Sequence, residues 1–151
     1  MKKDMSYTTR EGVEVSRIER VFGIEEPLAD LLDQLNEQRG ALFASGYEYP
    51  GRYSRWDIGF VNPPVEIRAR GRTFTFHALN ERGFVLLNIF HDALFRHDHL
   101  EELVREKFQL RGRVCEMPSY FPEEERSKQP TIFSVLRALV SFMHHEDEPH
   151  L

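Results

Sequence analysis

The stretch "PPVEIRARGRTFTFHAL", residues 63–79, limits the fold more than any other part of this chain. Val65, Ile67 and Ala69 alternate with Glu66 and Arg68, and Phe74 and Phe76 alternate with Thr73 and Thr75. Period-two alternation on both sides of a glycine is the pattern of a β-hairpin. A two-residue turn at Arg70-Gly71 sets Ile67 opposite Phe74 and Val65 opposite Phe76, so apolar side chains meet apolar side chains. One face of this hairpin must be covered. The other carries Glu66, Arg68, Arg72, Thr73 and Thr75, and its arginines read as a solvated strand face.

Candidates for the cover lie on both sides. "GVEVSRIERVF" alternates at Val13 and Val15, then slips phase near Arg17 and Ile18, as in a strand with a bulge. In "EEPLADLLDQLNEQRG", Leu28, Leu31, Leu32 and Leu35 recur at helical spacing. Pro27 suits the first turn, Glu25 and Glu26 the positive end of the dipole, and Gly40 the stop. "ALFAS" reads as a short buried strand. "GFVLLNIF", residues 83–90, is nearly continuous apolar, which predicts a central strand buried on both faces. "DHLEELVREK" predicts a helix with Asp98 as N-cap, Glu101 as capping-box partner and Arg105 paired to Glu101 four residues on. "FQLRGRVCEMP" predicts a strand kinked at Gly112, and "SYFPEEERSKQP" a charged connector. "PTIFSVLRALVSFMHH" predicts an amphipathic helix with Ile132, Val135, Leu136, Leu139, Val140 and Met143 on one stripe. Residues 144–151 read as a flexible polar tail. The predicted class is α+β, a mostly antiparallel sheet packed with two or three helices.

At 151 residues the chain suits one domain, 1–151, able to bury about two-thirds of its unfolded surface. A net charge of −5 argues against nucleic acid as partner, because phosphate binding needs a basic surface. A single cysteine, Cys115, allows no intrachain disulfide and favours a reducing compartment. The start "MKKDMSYTTREG" has no apolar core of a secretory signal, and no apolar run nears the roughly 18 residues of a membrane span. A cytoplasmic protein without membrane partners is expected.

Side chains able to do chemistry do not gather into a self-sufficient site. "FHDALFRHDH" offers His91, Asp92, His97, Asp98 and His99, but no two histidines stand at the i, i+4 spacing of a helical zinc site, so loop or cap roles are expected. His144 and His145 beside Glu146 and Asp147 fall in the tail. Cys115 has no CxxC partner and reads as a small core side chain. No phosphate-cradling glycine loop occurs. The exception to this blandness is "YEYPGRYSRWDIG", residues 47–59. Pro50 and Gly51 suit positions i+1 and i+2 of a type II turn. Tyr47 and Tyr49 would enter that turn, and Tyr53 and Trp56 leave it. Two readings stay open: an aromatic-clad hairpin corner packed on a core, or a loop that lays rings and arginines around an amino acid or small anion.

"GALFASGYEYPGRYSRWDIGFVNPPVEI" resembles the N-terminal segment of bacterial anthranilate synthase component I, in the fused form that carries its glutamine amidotransferase on the same chain. "FPEEERSKQPTIFSVLRALVSFMHHEDEPHL" resembles the later part of that segment, up to the start of the chorismate-binding core, and "GFVLLNIF" fits the strand between. The resemblance spans nearly the whole chain and is weakest across 91–115. It implies an enzyme that makes anthranilate and pyruvate from chorismate and glutamine-derived ammonia, towards tryptophan. It also implies part of an orthogonal β-sandwich and one wall of a tryptophan feedback pocket. The catalytic residues and magnesium would belong to a C-terminal core not contained here, so no cofactor and no catalytic residue are expected in this chain. Of the family's "LLES…GRYS" pattern, "LFAS" supplies Ser45, with Ala44 where an acidic residue is usual. "GRYS" supplies Gly51, Arg52, Tyr53 and Ser54. Ser45, Arg52, Tyr53 and Ser54 are therefore the expected effector contacts, and Glu48 is a candidate replacement for the carboxylate missing at Ala44.

The resemblance also makes the catalytic core and the amidotransferase the expected partners. Without their strands, exposed edges and apolar faces would favour self-association. Two other functions compete: a stand-alone, non-catalytic module that binds an aromatic amino acid, and the same segment of an aminodeoxychorismate or phenazine-type chorismate enzyme.

Overall fold

A computed structural model of the chain describes residues 2–9, 11–22, 26–44, 57–116 and 129–145. In chain order the elements are β1 (Lys2–Thr8), β2 (Glu14–Arg20), α1 (Glu26–Glu37), β3 (Gly40–Ala44) and β4 (Asp57–Val61). Then come β5 (Val65–Arg70), β6 (Thr73–Ala78), α2 (Glu81–Leu94), β7 (Leu100–Arg105), β8 (Gln109–Val114) and α3 (Ile132–Met143). The class is α+β, with antiparallel pairing in the β3–β4 sheet and throughout the four-stranded sheet. The chain forms two compact units, one of Met1–Lys3 with Ile18–Pro63 and the other of Asp4–Arg17 with Pro64–Leu151.

The second unit is built on the hairpin. β5 and β6 pair around a turn at Gly71-Arg72, one residue later than expected, so Ile67 faces Phe76, Ala69 faces Phe74 and Val65 faces Ala78. Gly71, at φ +59, takes the left-handed conformation that a side chain would resist. Moving the turn by one residue shifts the pairing by two and leaves every side chain on its expected face. β8 pairs with β6 and β7 with β8, giving the order β5-β6-β8-β7. One face carries the buried Phe74, Phe76, Leu110 and Val114, covered by Leu87 and Leu94 of α2 and by Val135 and Leu139 of α3. Each such side chain contributes about 1.5–3 kcal/mol through burial.

Two predicted elements exchange types. Residues 83–90 lie in helix α2, not in a strand: Gly83, Leu87 and Leu94 are buried while Val85 is 61% exposed, the signature of one helical face. Asn80 caps this helix, its side chain accepting the Gly83 N–H at 3.2 Å. Residues 100–105 form strand β7, not a helix. Glu101 pairs with Arg72 (3.2 Å) and Arg113 (3.5 Å), and Arg105 donates to Asn88 Oδ1 at 3.0 Å. Gly112 makes no kink. The β6–β8 ladder runs through the Phe74–Gly112 pair without a shift, and a β-carbon at 112 would lie inside the Phe74 ring's envelope. Strand β1 was not anticipated, although Met5 and Tyr7, half-buried, alternate with the exposed Asp4 and Ser6.

Helix α3 begins with a capping box, Thr131 and Ser134 each accepting the other's backbone N–H. Its buried stripe centres on Val135 and Leu139. Val140, expected on that stripe, is 61% exposed. His145, expected in the flexible tail, sets its ring 5.0 Å from that of Tyr7, while 146–151 fall outside the described residues.

In the first unit α1 lies on the β3–β4 pair, through β4. Gly40 and Gly59 admit it, because a β-carbon at either would run into Leu35 or Leu31. Leu28 and Leu32, expected on the same apolar face, are 40% and 46% exposed. Strand alternation turns Ala41, Phe43, Ile58 and Phe60 to the opposite side of the ladder from Gly40 and Gly59, where Phe43, Ile58 and Phe60 stay exposed.

Candidate functional site

The expected effector residues Ser45, Arg52, Tyr53 and Ser54 lie outside the described residues, as do Glu48, Gly51 and Trp56. Their frame is described. β3 and β4 pair in register from Gly40–Val61 to Ala44–Asp57, so residues 45–56 connect two strand ends held directly opposite each other. Leu42 and Phe43 are apolar, strand-forming residues of β3, and Ile58 and Phe60 are those of β4. The register puts the Asp57 side chain across from Ala44, on the same face of the pair, at a Cβ separation of about 5 Å. Sequence reasoning passed over Asp57. The signal was the pairing of "LFA" with "DIGF", which two apolar runs flanking a turn-rich stretch imply.

The histidine-rich stretch separates into two places. His91 and Asp92 sit in the last turn of α2, with His91 Nδ1 3.3 Å from Asp92 Oδ1. His97, Asp98 and His99 form the turn into β7, a loop role as expected. His97 Nδ1 accepts the His99 backbone N–H at 3.2 Å, and His99 Nδ1 lies 2.9 Å from the hydroxyl of Ser134, which is 5% exposed. The two imidazoles meet edge to face at 5.0 Å. Burial, then the nearby His99, lower the His97 pKa below the usual histidine value, and Asp98 opposes them. His91, Asp92, Phe95, Arg96 and His97 line a surface cleft of about 510 Å³. Among the described residues no group of three His, Cys, Asp or Glu side chains could hold a metal.

Cys115 lies just past β8, half-buried, with its Sγ 3.7 Å from the Asp98 carbonyl, rather than within a strand core. The arginine stripe is a solvated, ion-paired face. Arg68 pairs with Glu66 at 2.9 Å, Arg111 Nε donates to Glu106 at 2.9 Å, and Arg113 lies between Glu101 and Glu102. Hydrogen bonds from Gln109, then from Arg111, hold the Glu106 carboxyl below the usual range. No described helix is long and apolar enough to cross a membrane.

No protein-family model matches the chain, and no solved structure matches it. Among curated proteins, an anthranilate synthase of Azospirillum brasilense is 40% identical over 147 residues. That match takes in 97% of this chain and 20% of the relative, so the chain spans about a fifth of the protein it matches. Along almost its whole length, the chain is similar to part of an anthranilate synthase.

Proposed function

We propose that this chain is the N-terminal structural and regulatory segment of an anthranilate synthase, the lyase that forms anthranilate and pyruvate from chorismate and glutamine-derived ammonia. The observation that carries the reading is the 40% identity along 97% of the chain to an enzyme of that activity. It favours anthranilate as the product over aminodeoxychorismate, and a segment of a larger enzyme over a stand-alone sensor. Ser45, Arg52, Tyr53 and Ser54 form one wall of a tryptophan feedback site in this proposal. A hydroxyl and a guanidinium take the polar end of the amino acid, and Tyr53 flanks the indole. Asp57, across the ladder from Ala44, supports the reading, because it offers the ligand's ammonium a carboxylate that position 44 lacks. In this proposal magnesium and the catalytic residues belong to the chorismate-binding remainder. That remainder and the amidotransferase are the proposed partners, in the cytoplasm.

The isolated chain is expected to make no anthranilate. Fluorescence of anthranilate is followed with chorismate, ammonia and magnesium while the concentration of pure chain is raised. A signal that scales with the chain refutes the assignment of catalysis to the remainder. The isolated chain is also expected to self-associate. Two-stranded sheets are marginal alone, and the bare Phe43, Ile58 and Phe60 face seeks cover from water. Sedimentation velocity should show mass rising with concentration, and Phe43→Asp should reduce it. A compact monomer at every concentration would contradict this expectation.

A further inference from the structure

We propose that the turn between α2 and β7 is a pH-sensitive latch, in which protonation of the His97 ring releases the tie between this turn and the N-terminus of α3. The chemistry lies in which nitrogen does what. His97 Nδ1 accepts the backbone N–H of His99, two residues on, so it must carry a lone pair, and the proton of the neutral ring sits on Nε2. Acid adds a proton to Nδ1. The acceptor becomes a donor pointed at another donor, and the turn loses its internal bond.

His99 responds differently. The Ser134 hydroxyl donates to the Thr131 carbonyl at 2.7 Å and accepts the Thr131 N–H at 3.2 Å, so His99 Nδ1 is the donor to Ser134 Oγ. That bond calls on the Nδ1–H of His99 and on no lone pair at that nitrogen. His97 is the sensitive member and His99 the mechanical link.

The corner joins four elements. The His97 N–H donates to the Leu94 carbonyl at the end of α2, and the Leu100 N–H that opens β7 donates to the His97 carbonyl. The Cys115 N–H beyond β8 donates to the His99 carbonyl, and Ser134 belongs to the α3 capping box. Among the described residues, no hydrogen bond or ion pair sets a carboxylate on His97 Nδ1, which takes the His99 N–H. Asp92 faces His91, and Glu101 of β7 is taken by Arg72 and Arg113. Asp98 favours the imidazolium, but burial and His99 outweigh it. Arg96 lines the same cleft, Cys115 stands behind Asp98, and α3 presents the uncharged Thr131 and Ser134. The folded pKa of His97 therefore lies below its unfolded value. Its contribution to closure is complete above the unfolded value near 6.5 and is lost as pH falls through the folded value.

The test is amide hydrogen exchange at Thr131 and Ser134 in the full chain, corrected for intrinsic rates, at about pH 7.5 and about pH 5.5. Opening should increase in the wild type as the pH falls across this interval, because His97 is held neutral in the closed turn. His97→Asn keeps an acceptor for the residue two positions on, as asparagine does in turns, but cannot titrate. It should show the neutral-pH protection at both values. His99→Gln should exchange faster at both and lose the pH response, because the link to Ser134 is gone. The proposal is overturned if wild type shows no acid response, if His97→Asn keeps it in full, or if His99→Gln retains it.

Discussion

Alanine at position 83 is expected to destabilise the chain by about 2–3 kcal/mol, against alanine's intrinsic preference for helix. Gly83 sits in the first turn of α2 where the helix meets the hairpin backbone. A β-carbon there would collide with the Pro64 carbonyl oxygen and lie 2.9 Å from Ala78 Cα. Neither atom can swing aside as a side-chain tip could. The Pro64 oxygen is already held by the Leu79 N–H at 2.8 Å, and retreat would break that bond and tilt α2 off Phe76 and Leu110. On an exposed helix the same change would stabilise by about 1 kcal/mol, so the sign itself discriminates. Urea unfolding of Gly83→Ala beside Val85→Ala, an exposed site on the same helix, gives the comparison. A more stable Gly83→Ala would mean that the helix does not approach the hairpin backbone this closely.

The particular residues that misled sequence reasoning show why α2 and β7 were exchanged. Residues 83–90 are apolar without a break, and such a run fits a buried strand or a buried helix equally well. The evidence for helix stood just outside, in the Asn80 cap and the continuation through Phe90, Ala93 and Leu94. For β7 the cause is a bulge. The pairing with β8 shifts between Leu100 and Glu102, so Leu100 meets Val114 and Leu103 meets Gly112. Two residues three apart thereby share the core face, which imitates helical spacing. Asp98 and Glu101, read as a capping box, completed the imitation. The α+β class survived because one helix and one strand merely traded places.

Where local sequence dictates the geometry, the reading was closer. The β5–β6 hairpin, α1, β3 and α3 follow from alternation, helical spacing and turn residues within each stretch. The histidine corner was not legible, because His99 and Ser134 lie 35 residues apart and only the fold brings them together. Of the candidate effector site, the sequence supplied the residues and the structure supplied their frame, the Ala44–Asp57 end of a ladder. The carboxylate opposite Ala44 required that register, which no local pattern encodes.

Ser45→Phe carries the other large expected effect. In the intact enzyme a phenyl group at this wall should occupy the space of the indole and raise the tryptophan concentration needed for half-inhibition by about tenfold or more, equivalent to about 1.4 kcal/mol or more of lost binding. Turnover without tryptophan should stay near normal, since the serine stands apart from the chemistry in the proposed arrangement. The isolated chain should bind tryptophan poorly in either form. Half a pocket forfeits the opposing contacts and leaves the ligand wet, while the entropic cost of association remains. Asp57→Asn should weaken inhibition as well, if its carboxylate meets the ligand's ammonium, whereas Ala44→Glu should strengthen it.

The most direct test joins this chain to the remainder of the Azospirillum brasilense relative in place of the matching 147 residues. Anthranilate formation is then measured against tryptophan concentration, with Ser45 and with Ser45→Phe. The proposed role predicts an active chimaera inhibited by tryptophan, and an equally active Ser45→Phe form that resists it. A folded chimaera that makes no anthranilate would contradict the assignment to this enzyme. Inhibition equal in the two forms, or absent from both, would contradict the effector wall at residues 45–54.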